Sequence, residues 1–159
     1  MVTVADARAA VAAVADPELP VLTIGDLGIL RDMSIVDGRA VVTITPTYSG
    51  CPAMDQIRQD IRTRLAAVGV SDVDIRTELS PPWTTEAITP AGRAKLDAAG
   101  IAPPRRRDAG EPVALRLSVR CPRCGSPDTE ELSRFSATAC TALWRCRSCR
   151  EPFDRVKEH

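Results

Sequence analysis

Two C-x-x-C pairs near the C-terminus constrain this 159-residue chain more than anything else in it. Cys121 and Cys124 form the first, Cys146 and Cys149 the second, with 21 residues between them. Each pair can sit on a tight knuckle that presents two thiolates, and two knuckles close a tetrahedron around zinc. The gap is one residue longer than the usual window for this pattern, a difference that one extra loop residue absorbs. The segment that carries both pairs, 113–159, is 47 residues long. A piece of that size buries too little apolar surface to fold comfortably alone, so a metal has to supply much of its stability. Stretches of strand character at 113–120, 129–135 and 142–145 predict a three-stranded ribbon, with Phe135, Trp144 and Phe153 as its small core. With all four positions filled by protein the ion is structural and not catalytic. Redox disulfides are the alternative use of the same spacing.

Whether cysteines mean metal or disulfide depends on compartment. The opening MVTVADARAAVAAVADPE has no basic n-region and no clean apolar stretch, so no secretory signal is expected. No apolar run approaches the roughly 18 residues of a membrane span. A cytoplasmic location is the expectation, and in a reducing compartment six cysteines point to metal or thiol chemistry. Formal charge sums to zero, but residues 1–100 carry 9 basic and 13 acidic side chains while 113–159 carry 9 and 6. These opposite signs suit docking of the two parts on each other or on different partners. Neither has the basic excess of a nucleic-acid binder.

Ahead of the ribbon, helical and strand periods alternate. A helix is predicted over Val4–Ala15, capped by Thr3 with Asp6 three residues on, striped by Val4, Val11 and Val14, and stopped at Pro17. Strands 29–36 and 39–46 flank Asp37-Gly38, a pair suited to a tight hairpin. Pro52 suits a first helical position, and Met54, Ile57, Ile61, Leu65 and Val68 follow at spacings of three and four before Gly69. Val73, Ile75, Thr77 and Leu79 alternate as a further strand, and a short helix starts at Thr89-Pro90 and ends at Gly100. The strand–helix–strand order implies a parallel, right-handed crossover. The expected fold is α/β (α+β): a small mixed sheet with helices packed on it over 1–100, a proline- and charge-rich linker over 101–112, and an all-β zinc ribbon over 113–159.

Two cysteines stand outside the paired set. Cys51 lies between Gly50 and Pro52, at or beside the start of the second helix. Free backbone N–H groups and the positive end of the helix dipole favour a thiolate there, and Gly50 leaves room for a ligand or partner to approach. A thiol merely tolerated at a helix start fits the same residues. Asp16, Glu18 and Asp26 lie in loops, where solvated or capping roles are the default; they matter chemically only if the fold brings them beside Cys51. Cys140, six residues before Cys146, reads either as a small buried side chain or as a fifth thiol near the cluster. The single histidine, His159, ends the chain, and no glycine-rich phosphate loop is present. Nothing supports serine-, histidine- or carboxylate-based catalysis.

Taken in order, DPELP (16–20), DLG (26–28), TPTYSGCPA (45–53) and SPPW (80–83) resemble the family that includes the bacterial protein SufT and the eukaryotic cytosolic iron–sulfur targeting factor. With the CPRCGS…TACTALWRCRSCREPFD ribbon attached, the whole of about residues 5–155 resembles the D-subunit family of the phenylacetyl-CoA epoxidase system. The resemblance implies an accessory protein, not an enzyme. It would assist iron or iron–sulfur centre assembly in a ring-epoxidising multicomponent oxygenase of phenylacetate catabolism. That family's cysteine falls on Cys51 and its acidic motif on Asp16 and Glu18. Implied cofactors are one structural Zn2+ on Cys121, Cys124, Cys146 and Cys149, and iron or an iron–sulfur cluster held in passing. Implied partners are the di-iron oxygenase and flavin- and iron–sulfur-containing reductase components. Self-association is left open, and neither a membrane nor nucleic acid is expected. Relatives often end with another cysteine after the FDxxK stretch, whereas this chain ends FDRVKEH, which leaves Cys140 without an obvious companion. A stably bound docking protein that delivers no metal is the competing reading.

Overall fold

Asp37 and Gly38 both adopt left-handed φ, 50° and 81°, and this turn folds β1 (Leu30–Val36) back on β2 (Arg39–Ile44) in antiparallel register, Val36 opposite Arg39. The structure is a computed structural model that describes residues 2–105 and 119–158. Along β2, Ala40, Val42 and Ile44 are buried and the residues between them are not, the alternation of a half-buried strand. The crossover helix α2 (Ala53–Ala67) buries Met54, Ile57, Ile61 and Leu65, and β3 (Val73–Thr77) returns parallel to β2 with Ala40 opposite Val73. The resulting three-stranded sheet has order β1-β2-β3 and mixed direction, as the strand–helix–strand pattern predicts.

The first helix, α1 (Val4–Ala12), has the expected capping box between Thr3 and Asp6. It ends three residues earlier than its predicted limit at Ala15, before Pro17 can act, because Ala15 is drawn into a bridge with Thr23. Its inward face is Ala7 and Val11, followed by Val14 beyond the helix, whereas Val4 is 45% exposed. The loop between α1 and β1 carries much of the core, with Leu22, Ile24 and Ile29 essentially inaccessible. A side-chain carbon at Gly28 would lie 2.5 Å from the Ala87 carbonyl oxygen, so glycine there lets the DLG loop press on the 3₁₀ turn Thr85–Ala87. Trp83 of the SPPW segment is buried and donates its indole N–H to the Leu27 carbonyl at 2.7 Å.

The chain divides into two compact units at Gly92/Arg93, with α3 (Pro90–Ala98) running across the division. In the second unit, β5 (Thr129–Ser133), β6 (Thr141–Cys146) and β7 (Pro152–Val156) form antiparallel pairs, and β4 (Ile101–Ala102) adds to β7 in parallel. The sheet order is β4-β7-β6-β5. The expected strands 129–135 and 142–145 thus correspond to β5 and β6. Ile101–Ala102, the first residues of the expected linker, are strand. The rest of that linker from 106 and the predicted strand 113–120, apart from Val119 and Arg120, lie outside the described residues.

The ribbon core among the described residues is small: Ala102, Cys121, Ala142, Trp144, Cys146 and Phe153. Phe135 does not join it. β5 ends at Ser133, so Phe135 falls on the following loop with 71% of its surface exposed, and the Lys157 ammonium sits 4.4 Å from its ring centroid. Two of the six core members are cysteines, so a hydrophobic core alone is a poor account of what holds this unit together.

Candidate functional site

Ribbon strand pairing delivers the tail cysteines to one point. Cys146 ends β6 and is fully buried; Cys149 lies in the turn before β7; Cys121 and Cys124 lie ahead of β5. All four sulfurs lie within 4.8 Å of one another. Cys121 Sγ is 3.8 Å from Cys149 Sγ, and Cys124 Sγ is 3.6 Å from Cys146 Sγ. A tetrahedron with zinc–sulfur bonds of about 2.3 Å has edges of about 3.8 Å, so the spacing fits that ion. A disulfide brings sulfurs to about 2.05 Å, and all six cysteines are free. The tetrad is the one group of three or more thiol, imidazole or carboxylate side chains, among the described residues, that could hold a metal ion.

Both knuckles follow one backbone plan. Cys121 N–H donates to Ser126 O at 2.9 Å and Cys146 N–H donates to Glu151 O at 3.0 Å, each five residues ahead. The residue after the second cysteine of each pair has left-handed φ: Gly125 at 73° and Arg150 at 66°. Ser126 and Ser148 hydroxyls meet at 2.8 Å across the knuckles. Behind them Glu130 is clamped by the Arg145 and Arg147 guanidiniums, with Arg147 Nη2 at 2.8 Å, and these hydrogen bonds hold its carboxyl below the usual range. The Cys149 N–H and the other donors around it lower Cys146 to about 6. For Cys149, the Glu151 N–H acts to lower it, but burial and three neighbouring sulfurs together push it up to about 12.

Cys51 has a different setting. Pro52 occupies the N-cap of α2, so Cys51 stands one residue outside the helix, half-buried, with its carbonyl accepting from Met54 N–H at 3.3 Å. Gly50 takes φ of 80° with open space around it, so a backbone requirement accounts for glycine there as well as ligand access does. Burial raises the Cys51 thiol most; the Ala53 N–H and Tyr48 hydroxyl pull it down, while the Glu18 and Asp16 charges push it further up, and the net shift is upward. The DPE charges therefore act on this thiol, and the thiolate favoured by the helix start is opposed first by burial and then by like charge. Asp16 is itself buried, with Oδ1 accepting from Glu18 N–H at 2.9 Å and Leu19 N–H at 2.7 Å; burial outweighs these bonds and raises its carboxyl. Tyr48 joins this group from within the TPTYSGCPA stretch, where periodicity assigns it no role. Its hydroxyl lies 3.5 Å from Glu18 Oε1 and contacts Cys51. As the chain's one tyrosine, three residues before Cys51, it carries no spacing signal that would single it out.

Asp26 is a local brace, accepting from Thr23 N–H at 2.9 Å while Thr23 Oγ1 accepts from Asp26 N–H at 3.1 Å. Cys140 is buried just ahead of β6, with Thr138 Oγ1 3.1 Å from its sulfur. Six residues of extended chain, roughly 20 Å, separate it from Cys146 at the far end of that strand. The fifth tail thiol is not part of the cluster. Trp144 and Phe153 are buried, so they offer no stacking platform to bases.

No helix among the described residues is long and apolar enough to cross a membrane. Two family descriptions match the chain: "Iron-sulfur cluster assembly protein" over residues 5–75 and "PaaD zinc beta ribbon domain" over residues 106–157. The putative D-subunit of 1,2-phenylacetyl-CoA epoxidase from Escherichia coli is 46% identical over 144 residues, covering 89% of this chain and 85% of the relative. The Fe-S protein maturation auxiliary factor SufT of Staphylococcus aureus is 35% identical over 78 residues, 48% of this chain and 88% of the relative. Among solved structures, a domain of unknown function from Bacillus anthracis superposes with a TM-score of 0.55 at 30% identity, covering 58% of this chain and 90% of that one.

Proposed function

The chain belongs to the phenylacetyl-CoA epoxidase D-subunit family, and from that premise we propose that it is an accessory maturation protein of such an epoxidase and not its catalyst. Its work is to assist assembly of an iron or iron–sulfur centre in the oxygenase or reductase component during phenylacetate catabolism. The observation that carries this reading is the union in one chain of an iron–sulfur-assembly region and a PaaD-type zinc ribbon, within a likeness that spans 89% of the chain. Cys121, Cys124, Cys146 and Cys149 hold one Zn2+ that shapes the second unit; an all-thiolate tetrad has no open position for chemistry. Cys51, outside that tetrad and flanked by Glu18 and Asp16, is the thiol that handles iron as cargo. The neighbouring carboxylates favour a cation, and the raised thiol yields its proton when the cation arrives.

The test is co-expression of the epoxidase components with wild-type protein or Cys51→Ser, followed by iron analysis of each purified component. Iron content of one component is expected to fall with Cys51→Ser while zinc in the accessory protein is unchanged. Full iron loading with the variant would overturn the role of Cys51. One observation favours the docking reading instead: Asp16 Oδ1 is already committed to two backbone N–H groups, which leaves it poorly placed to take a cation. If the protein docks permanently, it co-purifies with the active epoxidase in fixed ratio, and activity is lost when it is withdrawn even from fully iron-loaded components.

A further inference from the structure

A cleft of about 500 Å³ opens in the second unit, beside the first cysteine knuckle. That volume is in the range of small-molecule sites. Its apolar lining comes from Ala102 of β4, Val119 and Pro122, and Cys121 and Gly125 bring the knuckle backbone to its edge. Among the described residues, the guanidiniums of Arg105, Arg120 and Arg155 line it, together with the carboxylate of Asp97.

Two of these cations are oriented by the fold. Arg155 lies on β7 opposite Ala142, its guanidinium 5.6 Å from the Trp144 ring centroid and its Nη2 held by Glu158 at 2.7 Å. Arg120 Nη1 donates to the Gly125 carbonyl at 3.1 Å, which orients the group without neutralising it. A planar guanidinium held in place presents its donors as a fork that matches phosphate or carboxylate oxygens. Two such groups, with Arg105 lining the same apolar-floored cleft, suit a phosphate joined to an apolar or planar body better than a single carboxylate or a bare ion.

We infer that this cleft is a binding site for a small organic phosphate, with the phosphate on Arg105 and Arg120 and the body over Val119 and Pro122. The site is independent of any iron handling at Cys51. Because Arg120 is tied to Gly125 and Cys121 lines the wall, an occupied cleft also braces the first knuckle.

The experiment titrates phenyl phosphate, inorganic phosphate and benzoate separately into the full-length zinc-loaded chain by calorimetry, with wild type, Arg120→Ala and Arg105→Ala. Phenyl phosphate is expected to bind in a 1:1 ratio and more tightly than either fragment. Each single substitution should weaken it about tenfold, the scale of one charged hydrogen-bonding contact, and added salt should weaken it further. Zinc content reports that each variant is folded. No saturable binding of phenyl phosphate to the wild type would overturn the proposal. So would binding unchanged by both substitutions, or inorganic phosphate or benzoate binding as tightly as phenyl phosphate.

Discussion

In the ribbon, two sulfur pairs stand 3.6 and 3.8 Å apart, and the Cys149 N–H with the other donors around it lowers Cys146 to about 6. In the N-terminal unit, one thiol stands beside a helix start and two carboxylates, and it is raised. Both positions offer backbone donors to sulfur. What separates them is the company: three other thiols within 4.8 Å in the first case, burial and fixed negative charge in the second. The first arrangement suits a resident ion, whereas the second favours a neutral thiol.

The comparison breaks most visibly if the metal is removed. Structural zinc in small domains contributes apparent free energies on the order of 10 kcal/mol, and the ribbon's described core is six side chains. Excess chelator, or Cys146→Ser, should therefore unfold the second unit and leave the first folded. Loss of the near-ultraviolet signal of Trp144, with helical circular dichroism from α2 retained, is the expected pair of readings. A ribbon that keeps its aromatic signal after zinc is stripped would remove the distinction between the two units.

The converse change targets the unit that needs no ion. Leu65 is fully buried on α2, and Leu65→Ala should cost about 2–5 kcal/mol through lost transfer energy and the cavity left behind. Denaturant unfolding followed by helical signal should shift to lower concentration, while zinc release, followed by a colorimetric indicator, keeps its midpoint. Movement of the zinc midpoint with the helical one would mean that the two units unfold together.

How much of this is legible in the sequence depends on the range of the forces involved. The hairpin at Asp37-Gly38, the buried face of α2 and the paired cysteines are legible because each is written in spacings of a few residues. β4 and β7 are not: Ile101–Ala102 is two residues long, and β7 reads Pro-Phe-Asp-Arg-Val with no clean alternation. The proximity of Glu18, Tyr48 and Cys51 depends on a loop and a helix start meeting across 30 or more residues of chain, which no local pattern records. Phe135 misleads for a related reason. Composition marks an aromatic as core, but only the end of β5 decides that this one faces solvent.

The thiol of Cys51 sharpens the comparison at smaller scale. Because burial and two carboxylates raise it, it should react with a neutral alkylating reagent more slowly at about pH 7.5 than a free cysteine does. Glu18→Gln removes one charge that opposes the thiolate, so the rate should rise several-fold, and the rate–pH profile should move to lower pH. The stability consequence has a definite sign. A thiol whose folded pKa lies above its unfolded value contributes stability that is complete below the unfolded value and is lost as pH rises through the folded one. Cys51→Ala should therefore lack part of the wild type's alkaline destabilisation while matching its behaviour in acid. An alkylation profile for Cys51 identical to that of free cysteine, or unmoved by Glu18→Gln, would place it outside the influence of the acidic loop.

The smallest effect lies inside the ribbon, where the knuckles differ at one equivalent position. Gly125 and Arg150 both follow the second cysteine of a pair and both have left-handed φ, 73° and 66°. A side chain in that conformation costs about 1–2 kcal/mol, whereas glycine takes it without strain but loses about 0.5–1 kcal/mol more chain entropy on folding. Arg150→Gly should on balance stabilise the ribbon by about 0.5 kcal/mol, read as a slightly higher chelator concentration for half-unfolding. The opposite exchange, Gly125→Ala, meets no neighbour within 4 Å, so its cost is that of the backbone alone and should likewise be about 0.5 kcal/mol. If Arg150→Gly destabilises instead, the Arg150 side chain makes a contribution that outweighs its strain. The second knuckle would then be more than a repeat of the first.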